Sequence, residues 1–140
     1  MKKLLGIVVL SLLFNTQSYS QILNLKCTFN SGFAVPQEDL SSKKGEVQFY
    51  KIDFKNKIII DSPSGPFKNF KTESKNQYVK IDTDKIIFGY HIKNGTHSFE
   101  TEINRQTGQL EESAYFNSEL FKGMIKLNYL CVKTESKNKF

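Results

Sequence analysis

The sequence predicts an all-β protein: an antiparallel meander of about eight strands forming a small barrel or flattened sandwich, with the first and last strands adjacent. Three observations carry this expectation. Beyond residue 20 the chain holds eleven Ile and eleven Phe, but only two Ala (Ala34 and Ala114) and seven Leu. β-Branched and aromatic side chains suit a pleated, half-buried surface, whereas Ala and Leu are the usual material of helices. Several segments alternate with period two and none sustains a 3.6-residue apolar period. Finally, Cys27 and Cys131 lie in strand-like stretches near opposite ends of the chain, so pairing them sets the first strand beside the last.

A chain of 140 residues fits one compact domain. Residues 1–20 read as a signal peptide. Met1-Lys2-Lys3 is basic, Leu4 to Phe14 is an apolar run too short to span a bilayer, and Ser18 and Ser20 are small residues placed for cleavage between Ser20 and Gln21. Residues 21–134 then form a single β domain and 135–140 a polar tail. The expected location is outside the cytoplasm, periplasmic or extracellular, in a Gram-negative bacterium, with no membrane insertion after cleavage. In that setting two cysteines favour one structural disulfide, Cys27 to Cys131. No Cys-x-x-C pattern suggests a redox pair, and no Cys/His spacing suggests a metal site.

The elements follow in order. The first strand runs from Ile22 to Thr28 or beyond, with Leu23, Leu25, Cys27 and Phe29 on one face. Residues 30–45 read as a long connection containing a helical turn. Glu46 to Phe54 and Ile58 to Ile60 form a hairpin around Lys55-Asn56, with an ambiguous inward face: Val47 and Phe49 share one parity, Tyr50, Ile52 and Phe54 the other. Asp61-Ser-Pro-Ser-Gly-Pro66 is a surface loop, since two prolines and a glycine cannot continue a ladder. Phe67 to Thr72 and Gln77 to Asp82 are short strands, and Thr83-Asp84 turns the chain.

The strongest signal is Asn94-Gly95 between two alternating runs, which specifies a two-residue hairpin turn because both positions need positive φ. The register follows: Ile92 faces His97, Tyr90 faces Phe99, Phe88 faces Thr101 and Ile86 faces Ile103, all on one side. Gly108 suits the left-handed position that ends the next turn, Arg105 to Gly108, which sets Ile103 opposite Leu110 and Phe99 opposite Ala114. Asn117 to Glu119 breaks that strand. Phe121 to Val132 closes the fold with Ile125, Leu127, Tyr129 and Cys131 inward. The stretch Ile103 to Leu110, Ile-Asn-Arg-x-Thr-Gly-x-Leu, followed by a late cysteine, resembles a pattern in small exported bacterial β-proteins of unknown function. The resemblance implies a location and a fold but no activity, and this chain lacks the glycine that usually precedes the late cysteine.

Lys+Arg exceed Asp+Glu by 20 to 14, and losing two Lys with residues 1–20 leaves a net charge of +4. All the basic residues but Arg105 are Lys and they are scattered, which argues against nucleic acid, where clustered Arg is the rule. His91 and His97 fall on opposite sides of their hairpin, and Glu111 and Glu112 on opposite faces of one strand, so neither pair cooperates in catalysis. The sequence therefore assigns no catalytic, cofactor-binding or metal-binding residue and predicts a non-enzyme. The leading expectation is a module that binds an unidentified protein partner through Phe33 to Gly45 or Asp61 to Phe67, loops held on a rigid scaffold. Alternatives are a barrel holding a small hydrophobic ligand against Phe88, Tyr90, Phe99 and Phe116, an inhibitor of a lysozyme-type periplasmic hydrolase, or a structural envelope protein. Oligomeric state is not encoded in any motif.

Overall fold

The computed structural model describes residues 22–61, 70–71, 76–92, 96–119 and 122–134. They form nine strands: β1 (Ile22–Val35), β2 (Val47–Asp53), β3 (Ile58–Asp61), β4 (Phe70–Lys71), β5 (Gln77–Ile81), β6 (Lys85–Ile92), β7 (His97–Asn104), β8 (Gln109–Asn117) and β9 (Lys122–Lys133). A single 3-10 turn, Ser41–Lys43, stands between β1 and β2. Among the described residues no helix is long and apolar enough to cross a membrane.

All nine strands belong to one sheet in the order β4-β3-β2-β1-β9-β8-β7-β6-β5, which curls into a nearly closed barrel. The odd strand count explains why closure is incomplete. Every ladder is antiparallel, so direction alternates along the order and the two end strands, β4 and β5, run the same way. An antiparallel ladder between them is impossible. A parallel one needs a crossover of a dozen or more residues, and only residues 72–76 join the pair. The barrel therefore keeps a seam between β4 and β5. Phe70 compensates from the two-residue β4: it is fully buried and packs its ring on Phe88 of β6, 5.1 Å between centroids, and on Phe99 of β7, 6.4 Å.

The predicted hairpin register holds at all four pairs, Ile92 with His97, Tyr90 with Phe99, Phe88 with Thr101 and Ile86 with Ile103. It continues to Ile103 opposite Leu110 and Phe99 opposite Ala114. Asn94 and Gly95 themselves lie outside the described residues, as do Ser20, Gln21 and the tail 135–140. Cys27 and Cys131 face each other directly across β1 and β9, with sulfurs 2.02 Å apart. A link across 104 residues stabilises the fold by up to about 4.7 kcal/mol by restricting the unfolded chain.

The structure refines three sequence expectations. β1 runs beyond Thr28 to Val35, so the long connection expected over residues 30–45 shrinks to residues 36–46; the cause is β9, ten of whose residues, Met124 to Lys133, pair with β1 on both sides of a bulge between Phe29 and Ser31. The nine strands match the expected count of about eight, and the short β4, Phe70–Lys71, falls inside the expected strand Phe67 to Thr72. The ambiguous face of β2 resolves toward one parity: Tyr50 and Ile52 are buried, while Phe49 is 58% exposed on the outer wall. The core is the barrel interior, filled on one side by Tyr50, Phe70, Phe88, Tyr90, Phe99 and Tyr129 and on the other by Leu25, Ile52, Ile103 and Leu110.

Candidate functional site

The interior falls into two parts according to the size of the inward side chains. Where they are aromatic they meet across the lumen: Tyr50 and Phe88 rings lie 6.0 Å apart, and Tyr90 and Phe99 stack at 5.6 Å. This half is a packed core, so Phe88, Tyr90 and Phe99 do not line a ligand cavity as one sequence expectation had it. At the end that gathers the β2–β3, β5–β6 and β7–β8 turns the buried inward residues are aliphatic, among them Leu25, Ile52, Ile103 and Leu110. A cavity of about 1390 Å³ opens there to solvent. Its walls include Leu23, Leu25, Phe54, Ile103 and Cys131, and its rim includes Lys55, Thr83, Asn104, Arg105, Thr107 and Lys133.

Each wall and rim residue is placed by local chain geometry. Asn104 accepts bonds from the backbone N–H groups of Gln106 and Thr107, both 2.9 Å, and shapes the β7–β8 turn. Gly108 closes that turn at φ 73°, and its carbonyl accepts from the Cys131 N–H at 2.8 Å. A Cβ there would lie 2.5 Å from the Cys131 carbonyl oxygen, so glycine is required both by backbone angle and by space. Asp53 caps the β2–β3 turn through the Asn56 N–H at 3.0 Å and side-chain amide at 2.7 Å, and these bonds hold its carboxyl below the usual 3.8. Arg105 braces the three turns together. Its guanidinium sits 4.8 Å over the Phe54 ring, and Nη1 donates to the Asp82 carbonyl at 2.6 Å.

A polar chain crosses the packed half. Glu112 is buried, at 5% exposure, and accepts from the Tyr50 hydroxyl, whose oxygen also lies 2.7 Å from Gln48 Oε1. Gln48 Nε2 donates to the Tyr129 hydroxyl and to Glu46 Oε1, at 2.9 and 2.8 Å, and Lys43 pairs with Glu46 at 2.9 Å. Burial alone would raise the Glu46 carboxyl, but the bonds from Lys43, Gln48 and Tyr129 outweigh it and the net shift is downward. Burial, then the charges of Glu112 and Glu46, push the Tyr129 hydroxyl well above its ordinary 10.0. Thr101 Oγ1, opposite Glu112 across the β7–β8 ladder, is buried without a hydrogen-bond partner.

The residues singled out from sequence distribute as follows. Cys27 and Cys131 meet, and Cys131 forms part of the cavity wall. Gly108 stands at the rim. His91 is exposed and stacks on Tyr78 at 5.2 Å, while His97 packs edge-on to Phe116 at 5.6 Å, so the two histidines stay apart. Glu111 pairs with Lys126 at 2.7 Å on the outside, and Glu112 points inward. Residues 62–67 of the Pro/Gly loop lie outside the described residues. Sequence reasoning missed two residues of consequence. Glu112 follows from the parity that sets Leu110 and Ala114 inward, and Arg105 stood out as the only arginine in the chain. Among the described residues no cluster of three or more His, Cys, Asp or Glu side chains is arranged to hold a metal ion.

This geometry defines a small, disulfide-tied antiparallel β-barrel with one packed and one open end. No protein-family model, curated protein or solved structure matches the chain.

Proposed function

We propose that the protein is an exported, non-enzymatic binding module that takes a small apolar molecule into the open end of its barrel, in the periplasm or outside the cell. The observation that carries this reading is the cavity of about 1390 Å³. It exceeds the roughly 300–1,000 Å³ typical of ligand pockets because it widens into a funnel, and it combines apolar walls with a few polar groups at the rim. The accessible apolar lining rests on a packed core: Leu23 and Phe54 are half-buried and pack against the cluster that contains Leu25 and Ile103. The Cys27–Cys131 link fits an oxidising compartment.

A neutral naphthylamine dye tests the reading. Its fluorescence rises on addition of the protein and saturates at one dye per chain. Leu23→Asp, which places a charge in the wall, abolishes the rise, while Phe49→Asp on the outer wall leaves it intact. A dye response insensitive to Leu23→Asp, or no response at all, rejects the reading; circular dichroism melts confirm that both variants fold.

A second reading, docking of a protein partner, is favoured by one observation. Phe49 is 58% exposed on the outside of β2, and Leu130 and Val132 are 54 and 56% exposed on the outside of β9, the two strands that flank β1. The contact would then be made by the barrel wall as well as by loops. Capture of a partner from an envelope extract that is lost with Phe49→Asp supports it.

A further inference from the structure

Resting on the reading that the open end binds a small apolar molecule, we propose that its ligand is a single-chain amphiphile with an anionic head. The hydrocarbon chain lies against Leu23 and Phe54, and the carboxylate or phosphate sits at Arg105 and Lys133. Among the described residues, those that line the cavity include three cations, Lys55, Arg105 and Lys133, and no Asp or Glu. A purely apolar ligand has no use for that rim. A head of opposite charge at the aqueous edge of an apolar funnel does.

Among the described acids nearest the rim, Asp53 and Asp82 are engaged elsewhere, and Asp84 forms no ion pair with Arg105 or Lys133. Asp53 caps Asn56 and takes part of the field of Lys55, which removes Lys55 from the proposed pair. Asp82 pairs with Lys80 at 3.1 Å. Asp84 is exposed, and its backbone carbonyl accepts the Arg105 N–H at 2.8 Å. Four ion pairs form among the described residues, and none includes Arg105 or Lys133. Arg105 is also held in advance of binding. A ring face and a neutral carbonyl fix its guanidinium without cancelling its charge, which leaves a planar fork suited to two oxygens of one head group.

Titration calorimetry on the purified protein, below micelle-forming concentrations, compares laurate, dodecyl phosphate, 1-dodecanol and dodecyltrimethylammonium. The anions bind at least about tenfold tighter than dodecanol, the increment of one charge-assisted contact. That advantage shrinks at high salt, and the cation binds most weakly. Laurate without dodecyl phosphate assigns a free fatty carboxylate, the reverse assigns a lipid-type phosphate, and either supports the anionic head. Lys133→Gln and Arg105→Gln each cut the laurate-to-dodecanol ratio severalfold; Lys133 is exposed near the end of β9, so its variant keeps the fold even if loss of the Arg105 brace does not. Equal binding of laurate and dodecanol, or preference for the cation, overturns the head-group assignment while the apolar pocket stands. Binding of none of the four overturns both.

Discussion

The two ends of this barrel are built by the same alternation, yet one is solid and the other hollow. At the packed end the inward positions of β2, β4, β6 and β7 carry Tyr50, Phe70, Phe88 and Phe99, whose rings meet across the lumen. At the open end Leu23, Leu25 and Ile103 occupy equivalent inward positions and leave a funnel between them. In a small barrel, then, lumen filling is decided by side-chain length at the inward positions rather than by the backbone. The alternation that builds a sheet says nothing by itself about whether its interior is occupied.

The sharpest way to break this contrast is to truncate one residue at each end. Phe70→Ala removes a fully buried ring and costs about 3–5 kcal/mol, read from denaturant unfolding, whereas Leu23→Ala trims a half-buried cavity wall and costs about 1–2 kcal/mol. Equal losses would mean that the open end is packed after all. Next in size, Gly108→Ala forces a β-carbon into a left-handed turn against the Cys131 carbonyl. It lowers stability by about 2 kcal/mol or more, measured as a fall in the unfolding midpoint, and it also disturbs dye binding because the turn forms the rim. In the packed half Thr101→Val replaces an unpartnered buried hydroxyl by a methyl group of similar shape, and the melting temperature rises, equivalent to about 1 kcal/mol.

The smallest effects are electrostatic and separate the two ends by pH. The Asp53 carboxyl at the open end and Glu46 at the packed end are both held below their ordinary values of 3.8 and 4.5. Their contribution is complete above those values and is lost as pH falls through the lower folded ones. Asp53→Asn removes part of that acid dependence. Tyr129 and Tyr78 titrate above the ordinary 10.0 in the fold, both through burial first and neighbouring carboxylates second. Their stabilisation is therefore full below pH 10 and declines at higher pH, because the unfolded chain releases those protons sooner. Tyr129→Phe flattens the alkaline limb of a melting-temperature profile; an unchanged profile would remove Tyr129 from the network.

The parts of the fold that were legible in the sequence are those governed by neighbours along the chain. The β6–β7–β8 register came from one dipeptide, one glycine and strict alternation, and every predicted pair is present. The β1–β9 contact was legible for a different reason, since two cysteines permit one pairing. What escaped depends on distant partners. Residues 30–35 begin with the turn-like Asn30-Ser31-Gly32 and are interrupted by a bulge, and pairing with the long β9 makes them strand. The cavity escaped because it is set by which inward side chains fail to meet, a three-dimensional property. Arg105 was visible as an oddity of composition, but its place above Phe54 and Asp82 required three turns to converge.

The seam has a consequence for how the chain is threaded. Followed around the wall from β5 through β9, then β1 to β4, spatial order equals chain order except at one junction, where β9 neighbours β1 without a peptide connection. The molecule is thus a circular permutation of a plain up-and-down ribbon, with a sulfur–sulfur bond standing where a hairpin loop would otherwise be. A loop joining Thr134 to Ile22, with new ends opened between β4 and β5, would preserve every ladder and make that covalent tie dispensable.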